Sequence, residues 1–199
     1  MNAVLETIDT RCGISPFAIR AERASDVAAR EALLDASFGT GRFARTCQRL
    51  RDGRKPAEGL ALAAVAERKL IGTVRLWHVS AGGVPALALG PLAVAASQRK
   101  LGVGAALMKR ALQLAQARGH GAVILLGDAP YYARFGFSAV RSANLLLPGP
   151  FERDRLLAVE LREAALEGTS GLIVPTGARV SRARRHHGQE VARPMPRAA

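Results

Sequence analysis

Two glycines one residue apart, in Arg99-Lys100-Leu101-Gly102-Val103-Gly104, sit between an extended apolar run (84–94) and an amphipathic segment that begins near Gly104. Gly119 closes that segment, and a second, fully apolar run follows at 122–126. A strand, a backbone loop, a helix and another buried strand in this order imply a parallel crossover. The loop N–H groups point outward in such a unit. With the partial positive charge of a helix N-terminus behind them, they form a seat for phosphate oxygens. Side chains at Gly102 and Gly104 would block close approach of a ligand to the backbone, and one of the two positions is expected to need φ > 0. The loop is not a Walker A motif, because no Gly-Lys-Ser/Thr closes it. It is also a poor dinucleotide fingerprint, with Leu107 where the third glycine belongs and Ala95 to Gln98 separating strand from glycines.

The rest of the chain reads around that unit. Phe17 to Arg20 alternates as a first strand, and Ser25-Asp26 suits a helix start for a segment reaching Phe38. A second short helix is expected over 43–50. Strands follow at 60–67, 70–79 and 85–94, joined by turns short enough for antiparallel pairing. The helix over 104–118 keeps Leu107, Met108, Ala111, Leu114 and Ala115 on one side. Pro130 opens a short helix that Gly136 ends. A strand is expected to begin at 137–140, a loop at 145–151, a final strand at 156–161 and a short extra piece at 172–174. The fold class expected is therefore α/β in the α+β sense: a mixed, mostly antiparallel sheet with one parallel crossover and helices on both faces.

Composition narrows the class further. The chain has 199 residues and 49% hydrophobic content, enough for one domain with a sizeable core. Apolar runs are too short to span a bilayer, and the first residues carry Glu6, Asp9 and Arg11, so no membrane segment or secretory signal is expected. Cys12 and Cys47 read as reduced thiols of a cytoplasmic protein, and no Cys/His cluster has metal spacing. Residues 1–16 read as a loose arm, 17–178 as the folded domain and 179–199 as a basic, disordered tail. That tail has six arginines against one acid within a net charge of +13, which suits polyanionic ligands including nucleic acid.

Two motifs in order resemble the GNAT superfamily of N-acetyltransferases. Arg99-x-x-Gly102-x-Gly104 is similar to that family's acetyl-CoA pyrophosphate loop, Gln/Arg-x-x-Gly-x-Gly/Ala, and Leu89-Gly90-Pro91-Leu92-Ala93-Val94 looks like its fourth strand. About thirty residues on, Tyr131-Tyr132-Ala133-Arg134-Phe135-Gly136-Phe137 resembles the tyrosine helix followed by Gly-Phe. These strings look most like the YhbS-like branch of the superfamily.

The resemblance implies an acetyl-CoA-dependent transfer of an acetyl group to a primary amine by direct attack, without a metal. It assigns the cofactor seat to Arg99, Lys100, Leu101, Gly102, Val103, Gly104 and Ala105. Leu92, Ala93 and Val94 would pair with the amides of the pantetheine arm, and Gly90-Pro91 supports a break in the ladder there. Tyr132 matches the proton donor to the leaving thiolate, and Tyr131 is its support on the cofactor side. No acid lies in 84–94 to act as general base; His78 and Asp128 are candidates to which no role is committed. Arg42, Arg45 and Arg49 lie where the acceptor would approach and favour one with negative character. The acceptor itself stays open among small amines, proteins and aminoacyl-RNA. The alternative is a basic RNA- or ribosome-associated protein that senses acetyl-CoA without turning it over.

Overall fold

The computed structural model describes residues 17–180. Its elements are β1 (Ala18–Ala21), α1 (Val27–Phe38), β2 (Ala61–Ala66), β3 (Lys69–Ala81), β4 (Val84–Val94), α2 (Val103–Ala117), β5 (Ala122–Leu126), α3 (Ala129–Ala133), β6 (Leu145–Leu146), β7 (Leu156–Glu160) and β8 (Gly171–Pro175). The sheet runs β1-β2-β3-β4-β5-β7, and β8 pairs with the far end of β3 and with β6. Along that path every neighbour is antiparallel except β4 and β5, which α2 joins by the expected crossover.

Alternation along β3 sorts the helices onto opposite faces. Gly72, Val74 and Leu76 face α2, and a Cβ on Gly72 would meet Leu107 at 2.9 Å and Val103 at 3.1 Å. Helix and sheet thus touch almost backbone to side chain, and Val103, Leu107, Met108, Ala111 and Ala115 are buried in the main core. Arg75, one residue out of phase, faces α1. There Glu22 accepts hydrogen bonds from both Arg75 and Arg30 of α1. The start of α1 is fixed by Asp26, whose carboxylate accepts from Arg20 (2.6 and 2.9 Å) and from the Arg23 backbone N–H (2.7 Å). Those bonds, the Arg20 pair first, hold the Asp26 carboxyl at a pKa of about 2 despite its burial.

Three local expectations are corrected. The segment expected as a second helix forms two 3-10 turns, Thr40–Ala44 and Thr46–Leu50. Gly39 and Gly41 dilute helix propensity at its start, and Arg45 is extended between the two turns. The strand expected at 137–140 shrinks to one bridge, Ser138 with Ala158, because Val140–Ser142 turns into a 3-10 helix. Within the expected loop at 145–151, Leu145 and Leu146 form β6 beside β8. At the C-terminal end, Arg179 bridges to Arg54 and the Val180 N–H reaches the Gly53 carbonyl at 2.8 Å. The remaining residues of the basic tail, and the arm at 1–16, lie outside the described residues.

Candidate active site

The parallel pairing of β4 with β5 ends early. Leu87 stands opposite Val123 and Ala88 opposite Ile124, and beyond these the two strands part. On its other side β4 stays paired with β3 as far as Val94 against Gly72. The register there slips between Val74 and Leu76, so that two β4 residues, Gly90 and Pro91, face the single Arg75. This bulge is where the sequence put a break. The indole N–H of Trp77 donates to the Gly90 carbonyl at 2.5 Å and holds the bulge in place. Past it, the alternate N–H and C=O groups of Leu92 to Val94 that face away from β3 point toward a strand that has moved away. The result is a cleft with an open backbone edge at Leu92, Ala93 and Val94.

The glycine loop closes one end of that cleft. Gly102 is the residue preceding α2 and has φ of 81°, so the position that needs left-handed backbone is this one. Lys100 also has positive φ (67°), and the two bends turn the loop N–H groups outward. The first helical bond runs from the Ala106 N–H to the Gly102 carbonyl at 2.9 Å. Val103, Gly104 and Ala105 therefore have no intrahelical acceptor for their N–H groups. Gly104 has ordinary helical backbone and is glycine for another reason. A Cβ there would sit 3.1 Å from the Tyr131 hydroxyl and 3.5 Å from Val94. Arg99 and Lys100 are exposed around the loop, with Arg99 Nε 3.4 Å from the Val94 carbonyl. The Val103 and Ala93 side chains are core, so these residues offer backbone alone.

The two tyrosines of α3 meet different neighbours. Tyr131 reaches the first turn of α2 at Gly104, with the Arg134 guanidinium 4.4 Å over its ring. Tyr132 lies at the end of β5, packed edge-on to Phe137 and so close over Gly127 that a Cβ there would be 2.2 Å from its ring. Burial pushes the Tyr132 phenol up to about 12, with smaller contributions from Tyr131 and Asp128. It remains a protonated donor throughout the neutral range. Neither hydroxyl donates to a protein group among the described residues. Asp128 occupies the position before α3, yet its carboxylate makes no capping bond; the Asp128 carbonyl accepts from the Tyr132 N–H at 3.1 Å instead.

On the opposite side of the bulge lies a second pocket, walled by Leu50, Trp77, Leu89, Leu147, Leu156 and Ile173, with Arg51 and Cys47 at its edge. The three arginines expected to face an acceptor are otherwise engaged. Arg42 is paired with Glu31 and Asp35 of α1, Arg45 lies over Phe38, and Arg49 donates to the Pro148 carbonyl. Arg51 and Trp77 had no motif to announce them, although Trp77 is the only tryptophan in the chain. His78, a candidate base, stands opposite Leu87 on the paired side of the split, its ring 5.4 Å from that of His120.

The acetyltransferase (GNAT) family model matches residues 27–137, which span β2 to β5, the glycine loop and both tyrosines. This chain is a member of the GNAT acetyltransferase family. It is 31% identical to the uncharacterized N-acetyltransferase YhbS of Escherichia coli K12 over 157 residues, 78% of this chain and 93% of that protein. The crystal structure of Escherichia coli YhbS in complex with CoA superposes with a TM-score of 0.69 at 27% identity, covering 88% of this chain and 93% of the other. A GNAT family acetyltransferase from Brucella melitensis, solved with acetyl-CoA, gives 0.55 at 26% identity over 77% of this chain and all of its own. No helix among the described residues is long and apolar enough to cross a membrane.

Proposed function

We propose that this GNAT domain is an acetyl-CoA-dependent N-acetyltransferase acting on a primary amine by direct attack. The observation that carries the reading is the split between β4 and β5, with an N–H-rich loop at one end and a protonated tyrosine over Gly127 at the end of β5. The relatives solved with CoA and acetyl-CoA support the choice of donor.

Acetyl-CoA supplies an acetyl thioester, which a neutral amine can attack; the new N–C bond replaces the S–C bond, and one amine proton ends on sulfur. The chain's part is to hold and to donate. The N–H groups of Leu101 to Ala105, with Arg99 and Lys100, hold the pyrophosphate, and Tyr131 packs beside it at Gly104. The free edge of Leu92, Ala93 and Val94 pairs with the pantetheine amides and lines up the carbonyl. Tyr132 donates its O–H toward the leaving sulfur. A phenol near 12 beside a thiol whose usual value is about 8.5 acts mainly by hydrogen-bonding the departing thiolate. No carboxylate on β4 and no histidine in the split serve as base, so the amine loses its proton to water or arrives neutral. A cytoplasmic setting, where acetyl-CoA and the free Cys47 thiol are both at home, fits this reading.

The test is titration calorimetry with acetyl-CoA. Gly104→Glu puts a side chain toward Tyr131 and a negative charge in the phosphate seat. Affinity should fall at least 100-fold while the circular dichroism spectrum is kept. Unchanged affinity in the folded variant removes the loop from the cofactor site.

A further inference from the structure

Strand β4 changes phase at its bulge. Before it, Leu87 stands opposite His78 and Leu89 opposite Leu76; after it, Leu92 stands opposite Val74 and Val94 opposite Gly72. Residues directly opposite share a face of the sheet, and Gly72, Val74 and Leu76 face α2. The odd-numbered residues of β4 therefore face α2 before the bulge and the even-numbered ones after it. An unbulged strand would turn Leu92 and Val94 toward α1 instead. The observed phase is what sets Val94 3.5 Å from where a Cβ would stand on Gly104, in the first turn of α2. The same alternation governs the backbone, so the extra residue also decides which N–H groups past the bulge face β3 and which face the split.

An extra residue in a strand leaves backbone groups without ladder partners, and a buried carbonyl then needs another donor. Gly90 has φ of 140°, where glycine is favoured, and its carbonyl accepts from the Trp77 indole N–H at 2.5 Å. Trp77 is 6% exposed, and the indole has this one donor to give. Arg75, the residue opposite the bulge, is spent on Glu22.

We propose that Trp77 is a positioning residue for acetyl transfer: its indole N–H locks the extra residue into β4 and so fixes which N–H groups of Leu92 to Val94 meet the thioester carbonyl. The proposal rests on the acetyl-transfer reading for that carbonyl, and on the register and the Gly90 bond for the lock.

Trp77 is the only tryptophan, so replacing tryptophan biosynthetically changes this site alone. The experiment compares three forms of the full chain: tryptophan, fluorotryptophan, which keeps the ring N–H, and benzothienylalanine, which has sulfur in its place and nearly the same volume. Each is saturated with carbonyl-labelled acetyl-CoA, and the C=O stretch of the bound thioester is read by infrared difference spectroscopy. The stretch should lie below its value in free acetyl-CoA for the two N–H forms and return toward that value in the sulfur form. If the sulfur form does not fold, Trp77→Phe carries the same comparison. In the unliganded wild type the Trp77 indole proton should exchange slowly with solvent. Fast indole exchange in the folded wild type overturns the lock and needs no variant. A lowered stretch that persists in the folded sulfur form also overturns the proposal, as does an equal loss in the fluorotryptophan form. A wild type that binds acetyl-CoA with an unshifted stretch overturns the positioning role and leaves the phosphate seat standing. A wild type that binds no acetyl-CoA sinks the acetyl-transfer reading itself, and the positioning role with it.

Discussion

The two sides of the cleft are built in different ways. The proposed cofactor side is made of neighbouring stretches of chain: a strand end, a loop with two left-handed bends and the first turn of α2. Its chemistry is backbone chemistry, and glycine is needed at two places for two reasons, φ at Gly102 and the approach of Tyr131 at Gly104. The pocket behind the bulge draws Arg51 from the end of a 3-10 turn, Trp77 from β3, Gly90 from the β4 bulge and Leu147 and Ile173 from beyond β5. Its chemistry is side-chain chemistry, set by which residues the fold brings together. A reusable cradle and a variable wall are what a family needs to keep one donor and change acceptors.

Breaking the boundary between the two sides should have the largest effect. Tyr132→Phe removes one hydroxyl and little volume, so acetyl-CoA affinity should hold while kcat for an accepted amine falls on the order of 10- to 1000-fold. Tyr131→Phe should cost much less in kcat and act through cofactor affinity. Equal kcat losses at both positions would erase the division of labour between them.

Gly127→Ala probes the same boundary from underneath. Its methyl group would overlap the Tyr132 ring, 2.2 Å from the nearest ring carbon, so the ring must shift or the strand end must move. A stability loss of about 1 to 3 kcal/mol by denaturant titration is expected, with a drop in kcat in the same direction as Tyr132→Phe. A fully active, fully stable variant would mean that Tyr132 is not held over β5.

The difference between the two sides also explains what the sequence revealed. The crossover, the glycine loop, the α2 face and the tyrosine helix are short-range patterns, so their residues announced themselves. Gly90-Pro91 flagged its own bulge. The 43–50 segment misled because its apolar spacing is helical while Gly39 and Gly41 keep the chain in tighter turns. Arg42 and Arg49 looked available because their partners, Glu31 and the Pro148 carbonyl, lie 11 and 99 residues away. Arg51 gave no sign in the sequence that it would lie half-buried beside the β4 bulge. A lone basic residue does not say which distant group it will meet until the fold is known.

Away from the cleft, effects should be smaller. Asp26 has a folded pKa of about 2, below its unfolded value of about 3.9, so its contribution is complete above pH 4 and is lost as pH falls toward 2. Asp26→Asn should lower stability at neutral pH by about 1 to 3 kcal/mol and flatten the acid limb of the melting curve between pH 4 and 2. An unchanged acid limb would take the Arg20 pair out of the account of α1. Smallest of all, deletion of residues 181–199 should shift Tm by no more than about 1 to 2 °C and leave acetyl-CoA affinity alone. The segment carries charge but no periodic apolar face. Loss of RNA binding on this deletion, with no acetyl transfer in the full chain, would instead favour a non-catalytic, RNA-associated role.

Amide hydrogen exchange with and without CoA tests most directly whether one face of the cleft is the cofactor's and the other the acceptor's. CoA should slow exchange at Leu101 to Ala105 and at those N–H groups of Leu92 to Val94 that face away from β3. Exchange around Arg51, Cys47 and Leu147 should stay as it was. Protection concentrated in that second pocket, or none at the glycine loop, would contradict the assignment of the two sides.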